Sequence, residues 1–302
     1  MILEERYTLS NGVEIPRLGL GTWFINNGNA ADAVKNAAKA GYRHIDTAQA
    51  YRNEGGVGIG IKSCGVHRDE MFVTTKLAAG VKSYKKATEE IERSLRTMGL
   101  DHIDMMIIHS PQPWRKFRGD DRFLEGNREA WRALEEAYTA GKLRAIGLSN
   151  FEAPDIDNIL QACTVAPMVN QVLAHVGNMP TELIEYSTSN GMLVEAYSPI
   201  AHGELMKRND VEKIAANYGV TVPQLSIRFL LQLGLLPLPK TTKPAHMRSN
   251  ADVDFVISDE DMRFLANIEP LDDYGSASAM PVYGGKMTLK SMFSMLVHSI
   301  RS

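Results

Sequence analysis

Short apolar runs rich in Ile, Val, Leu and Met recur along the chain. Each is followed by a longer stretch in which apolar residues return every three or four positions. The runs are RLGLG (17–21), RHID (43–46), MFVTTK (71–76), IDMMIIH (103–109), LRAIGLSN (143–150), MVNQV (168–172), MLVEAY (192–197) and LPLPK (236–240). Continuous apolar runs of this length predict strands buried on both faces, and the 3.6-residue period between them predicts helices. The first helices are expected near 30–40, 53–62, 84–98 and 126–140. In the third, Ala87, Ile91, Ser94, Leu95 and Met98 share one face. Ahead of the first run, residues 7–16 alternate around Asn11-Gly12, the pattern of a β-hairpin.

Eight strand–helix units in one uninterrupted series imply a single (β/α)8 TIM barrel in the α/β class, with the hairpin at its N-terminus. The barrel core is expected over about 8–270, with 271–302 a C-terminal loop and helix over or beside it. An open doubly wound sheet would need a Gly-rich turn after its first strand. GLGTWFINNG (19–28) does not have that order, and EGGVGIGIKSCG (54–65) reads as a glycine-diluted helix. Composition narrows the class further. The 302 residues are 44% hydrophobic and 23% charged with a net charge of −3, so they lack the basic footprint of a nucleic-acid binder. No stretch of about 18 apolar residues is present to span a membrane. MILEERYTLS does not read as a signal peptide, and Cys64 and Cys163 are too few for a disulfide framework. A reducing, cytoplasmic setting and a monomer are the expectation.

A barrel gathers the C-terminal ends of its strands on one rim, where catalytic groups belong. Polar residues collect at those ends: Asp46, Lys76, His109, Ser149 with Asn150, Asn170 with Gln171, Tyr197 with Ser198, and Lys240. One Asp or His at a strand end more often forms a turn or caps a helix. Their joint occurrence on one rim is what points to a site. Tyr51 lies five residues past Asp46, close enough to turn back over the barrel mouth. A phenol is a poor acid at neutral pH, and a nearby ammonium, Lys76, is expected to lower its pKa. With Asp46 orienting the lysine and His109 hydrogen-bonding an incoming carbonyl, the set describes a general acid beside a developing oxyanion.

These residues sit in stretches that together resemble the aldo-keto reductase family. The stretches are GLGTW (19–23), GYRHIDTAQAY (41–51), TTK (74–76), IIH (107–109), GKLRAIGLSNF (141–151), NQV (170–172), AYSP (196–199) and LPK (238–240). The resemblance implies reduction of an aldehyde or ketone by hydride from a nicotinamide cofactor. It makes Tyr51 the proton donor, with Asp46, Lys76 and His109 completing a tetrad. It further implies that Ser149, Asn150 and Gln171 hold the nicotinamide carboxamide and that Tyr197 stacks on the ring. Gly21, Thr22, Ser198 and Asn250 join the cofactor site, and Lys240 and Thr241 approach the adenosine 2′-phosphate. Trp23, Trp114 and the segment around 274–283 are expected to line the substrate pocket. The chain departs from the family at KTTKPAHMRSN (240–250), where His246 replaces an Arg and Ser249 a Glu. A neutral imidazole lacks the planar fork with which Arg grips phosphate, so Lys243 or Arg248 would have to compensate. NADP(H) is the expected cofactor, with NAD(H) the alternative.

Other readings were weaker. Tyr138 and Lys142 match a Tyr-x-x-x-Lys pair but lack a Gly-rich first turn. His175, His202 and His298 have no spacing for a metal, so none is expected. A non-catalytic cofactor-sensing barrel would not need a tuned proton donor. Leu289, Met292, Phe293, Leu296 and Ile300 follow helical spacing, which predicts a terminal helix over 286–300 packed on the barrel.

Overall fold

The computed structural model describes residues 1–285. Strands β1 (Arg6–Thr8) and β2 (Glu14–Pro16) pair antiparallel. In the turn between them Gly12 has φ +84, which glycine adopts without strain, and the Asn11 side-chain oxygen accepts from the Val13 amide at 3.1 Å.

The eight apolar runs form eight strands in chain order: β3 (Leu20–Gly21), β4 (His44–Asp46), β5 (Phe72–Leu77), β6 (Ile103–Ile108), β7 (Leu143–Ser149), β8 (Val169–Leu173), β9 (Leu193–Tyr197) and β10 (Leu236–Leu238). Each pairs parallel with the next. The ring closes where Gly19 N donates to Pro237 O at 3.3 Å and Gly21 N to Pro239 O at 3.0 Å. A parallel bridge between Gly21 and Lys240 completes the seam. This is the expected (β/α)8 barrel. The two seam strands are shorter than the apolar runs suggest, because Pro237 and Pro239 have no N–H and join only through their carbonyls. Every residue of β5 and β6 is buried, one alternating set filling the barrel and the other meeting the helices.

The helices α1 (Asn27–Lys39), α2 (Glu54–Ser63), α3 (Tyr84–Met98), α4 (Leu124–Thr139), α5 (Ala153–Leu160) and α6 (Thr181–Ser189) follow β3 to β8 singly. Two follow β9, α7 (Asn209–Asn217) and α8 (Val222–Gln232), and two follow β10, α9 (Pro244–Ala251) and α10 (Asp259–Ala266). Helix α3 buries the predicted face, with Ser83 capping its start and Gly99 ending it at φ +63. Each large side chain removed from water there contributes about 1.5–3 kcal/mol against chain entropy. The glycines of α2 allow it to wedge between its neighbours. A Cβ on Gly56 would lie 2.2 Å from Asn27 O, and one on Gly58 would lie 2.1 Å from Met98 O.

The hairpin closes one end of the barrel. Tyr7 donates to Leu235 O just before β10 at 3.3 Å, and Asn11 Nδ2 donates to Arg144 O near the start of β7 at 2.9 Å. Both contacts lie at strand entrances, so the opposite rim is left for a site. Beyond α10, short 3-10 turns at Gly275–Ala279 and Pro281–Tyr283 lead towards that rim. The expected helix over 286–300 lies outside the described residues. Among the described residues no helix is long and apolar enough to cross a membrane.

Candidate active site

A cavity of about 700 Å³ opens at the C-terminal ends of the strands. Asp46 and Tyr51 enter it from the β4 side, His109 from the end of β6, and Ser149 with Gln171 from β7 and β8. Trp23 and Trp114 line it as expected, and so does Gly21 at the seam.

Tyr51 owes its place to a 3-10 turn, Gln49–Tyr51, anchored on both sides. Gln49 Nε2 donates to Glu90 O and Ser94 Oγ, at 3.1 and 2.9 Å, while its Oε1 accepts from Ala78 N at 2.8 Å. Asn53 Nδ2 donates to the Thr22 and Ile25 carbonyls, and Thr47 donates to Asn53 Oδ1. Lys76 is fully buried beneath, its ammonium 2.5 Å from Asp46 Oδ1, 2.9 Å from Thr47 O and 5.1 Å from the centre of the Tyr51 ring. Two of its three N–H donors are therefore used, which leaves one. The His109 ring stands edge-on to Tyr51 with centroids 5.6 Å apart.

The expected effect of Lys76 on Tyr51 is reversed at rest. Burial, and the Asp46 charge after it, push the phenol well above its ordinary value. The lysine charge does not offset these two, and the net direction for the phenol is upward. Tyr51 thus holds its proton through the neutral range. Burial, followed by the Lys76 charge, holds His109 well below its ordinary value, so its imidazole is neutral.

On the other side of the rim, Ser149 and Gln171 are register partners across β7 and β8. Asn150 follows β7 at φ +59 and Ser198 follows β9 at φ +52, so both strand ends bend sharply at non-glycine residues. Asn150 spends its amide on His109 O and Ser149 Oγ, each at 3.0 Å, and its oxygen accepts from Tyr197 at 2.7 Å. Gln171 Nε2 donates to Asp46 Oδ2 at 3.0 Å and to Glu195 Oε2 at 2.7 Å. What remains for a ligand is the Ser149 hydroxyl proton and the Gln171 amide oxygen. One donor beside one acceptor is the complement of a primary carboxamide.

Lys240, Thr241, His246, Ser249 and Asn250 line the remaining side of the cavity, the last three from α9. Burial holds the Lys240 ammonium below its ordinary value. Lys243 and Arg248, expected to compensate for the missing Arg, do not line the cavity. Thr22 is fully buried, and both its amide and its hydroxyl donate to Asp46 O, at 3.0 and 2.9 Å, so it fixes the end of β4.

The sequence reading missed the positioning roles of Gln49 and Asn53, although both stand in the quoted stretch after β4. It also missed a triangle at the mouth: Ser198 Oγ lies 2.7 Å from Tyr283 OH, which lies 2.8 Å from His202 Nε2. Tyr283 lines the cavity as expected for its segment, whereas Tyr274 packs behind it against His175. Tyr138 and Lys142 sit away from the rim, bonded to Asn11 and Glu92. No cluster of metal-binding side chains occurs among the described residues.

The barrel gathers Asp46, Tyr51, Lys76 and His109 on one rim, and sequence comparison identifies the class of protein. Residues 17–269 match the model of the aldo/keto reductase family, and the chain belongs to that family. It is 41% identical over 262 residues to a glyoxal reductase of Bacillus subtilis, covering 86% of this chain and 91% of that one. It is 39% identical over 261 residues to a 9,11-endoperoxide prostaglandin H2 reductase of Trypanosoma cruzi, covering 85% and 88%. Among solved structures it resembles a Bombyx mori aldo-keto reductase in complex with NADP, with TM-score 0.78, 30% identity, and 87% and 92% of the two chains covered.

Proposed function

We propose that the protein reduces an aldehyde or ketone to an alcohol with NADP(H), Tyr51 delivering the proton. The observation that carries this reading is the arrangement of a neutral, proton-bearing phenol over a buried Lys76–Asp46 pair and beside a neutral imidazole, all at one cavity. The residues present fit a nicotinamide cofactor, since the free Ser149 donor and Gln171 acceptor match its carboxamide. When bound, the cofactor supplies a hydride to the carbonyl carbon.

The chain's own residues manage the oxygen. His109 donates a hydrogen bond to the carbonyl oxygen through the tautomer that carries its proton on Nε2, leaving the partnerless Nδ1 as the bare nitrogen. As negative charge develops on that oxygen, Tyr51 transfers its phenolic proton to it. The phenolate left behind is stabilised by the Lys76 ammonium, which Asp46 holds in place. The phenol holds its proton at rest and releases it only to a stronger base.

Lys240 is the cavity's lysine for the 2′-phosphate, which favours NADP(H) over NAD(H). Trp23, Trp114 and Tyr283 give the substrate end an aromatic wall. The chain is taken to act as a cytoplasmic monomer. Oxidation of NADPH in the presence of a panel of aldehydes, ketones and sugars tests the reading. Turnover with at least one carbonyl supports it, and cofactor binding with no turnover on any would overturn it.

A further inference from the structure

Glu195 is an acid in the middle of β9, fully buried in the barrel. The nearest basic group to its Oε1 is His44 Nε2 at 4.0 Å, and burial holds that imidazole neutral, its pKa lowered to about 3. Lys76 is already bound to Asp46. Oε1 of Glu195 has no hydrogen-bond partner among the described residues, and the one side-chain bond the residue makes there is Oε2 accepting from Gln171 at 2.7 Å. A buried acid with no cation bonded to it costs free energy, so its single contact is the place to look for its use.

That contact acts on a residue facing the cavity. Gln171 has two amide protons, and they go to Asp46 Oδ2 and Glu195 Oε2. Asp46 decides the orientation of the amide, because an ionised carboxylate at 3.0 Å repels an oxygen and accepts only from nitrogen. With one acceptor alone, the amide keeps a proton free and can turn it towards the cavity. With both, it cannot.

We propose that Glu195 is a positioning residue for the cofactor site: with Asp46 it holds both protons of the Gln171 amide, so that Gln171 offers the cavity its oxygen and nothing else. The inference rests on the nicotinamide reading. It explains why the cavity recognises a carboxamide NH₂, because an acceptor-only Gln171 selects a ligand group that donates. Burial, and the Asp46 charge after it, raise the Glu195 carboxyl to about 8. At neutral pH it is therefore uncharged and holds Gln171 without adding a second negative charge beside Asp46.

The test compares binding of oxidised NADP with its 3-acetylpyridine analogue, in which a methyl replaces the carboxamide NH₂, by calorimetry. The wild type should prefer the carboxamide by several-fold, on the order of tenfold at most for one neutral hydrogen bond. Glu195→Gln, which still offers an acceptor, should keep that preference. Glu195→Leu should bring it towards parity. Equal weakening of both ligands in Glu195→Leu, with the preference unchanged, would show a merely structural role and overturn the proposal. Parity in the wild type would overturn it too, while failure of both ligands to bind the wild type would overturn the cofactor reading and the clamp with it. Should the Leu variant fail to fold, ¹⁵N spectra of the wild type decide. The Gln171 side-chain NH₂, assigned by its loss in Gln171→Leu, should show both protons protected from solvent exchange, and one fast-exchanging proton contradicts the clamp.

Discussion

Lys76 is joined to Asp46 by a 2.5 Å contact between Nζ and Oδ1, and the same ammonium lies 5.1 Å from the centre of the Tyr51 ring. The pair is buried, so its two members have separable effects on stability and on catalysis. Lys76→Met leaves an unpaired buried carboxylate and is expected to cost about 3–5 kcal/mol of stability. Adding Asp46→Asn should recover much of that in denaturant unfolding. It should not recover kcat, because the stabiliser of the Tyr51 phenolate is still missing. Parallel recovery of stability and turnover would contradict the role given to Lys76.

Lys240 and His246 share one side of the cavity. Lys240→Ala should reduce the preference for NADPH over NADH, measured as a ratio of Kd values, by roughly ten- to a hundredfold, the range of a charge-assisted hydrogen bond. His246→Arg should raise the same ratio by adding a forked guanidinium. A ratio unmoved by both substitutions would place the phosphate elsewhere.

Glu195 also gives the fold a pH signature. Its carboxyl is raised from 4.5 to about 8, so its stabilising contribution is complete below 4.5 and is lost as pH rises through about 8. Lys82 works in the opposite sense, since burial holds its ammonium down to about 7 and its cost is relieved as pH rises. Comparison with Glu195→Gln cancels the lysine. The variant should lose less Tm than the wild type between pH 6 and pH 9, and identical losses would contradict an acid that is protonated in the fold.

Much of this site could be read along the chain because barrel topology converts strand ends into neighbours. Asp46, Lys76, His109, Ser149 and Gln171 needed no tertiary information beyond that rule, but the rule also gathers Asn170, whose amide instead donates to Phe151 O and Ser187 Oγ. What escaped depends on contacts that no local pattern records. Glu195 stands in MLVEAY as one acid in an apolar run, and only the barrel interior reveals Gln171 beside it. The triangle of Ser198, His202 and Tyr283 joins residues as much as 85 positions apart. The direction of the Tyr51 shift was misjudged because the lysine was counted as a free charge, whereas the Asp46 partner and burial decide the outcome. Helix starts were misplaced where a cap set them: Asn26 accepts from Asn29 N at 2.8 Å, and α1 begins before its first apolar residue.

Tyr51→Phe tests the central claim most directly. The substitution keeps the ring on its 3-10 turn and removes only the hydroxyl that carries the proton to be transferred. Carbonyl reduction with NADPH should fall at least about a hundredfold in kcat, the lower range for a general acid, while the Kd for NADPH stays near that of the wild type. Retention of more than about a tenth of wild-type kcat would contradict Tyr51 as the proton donor.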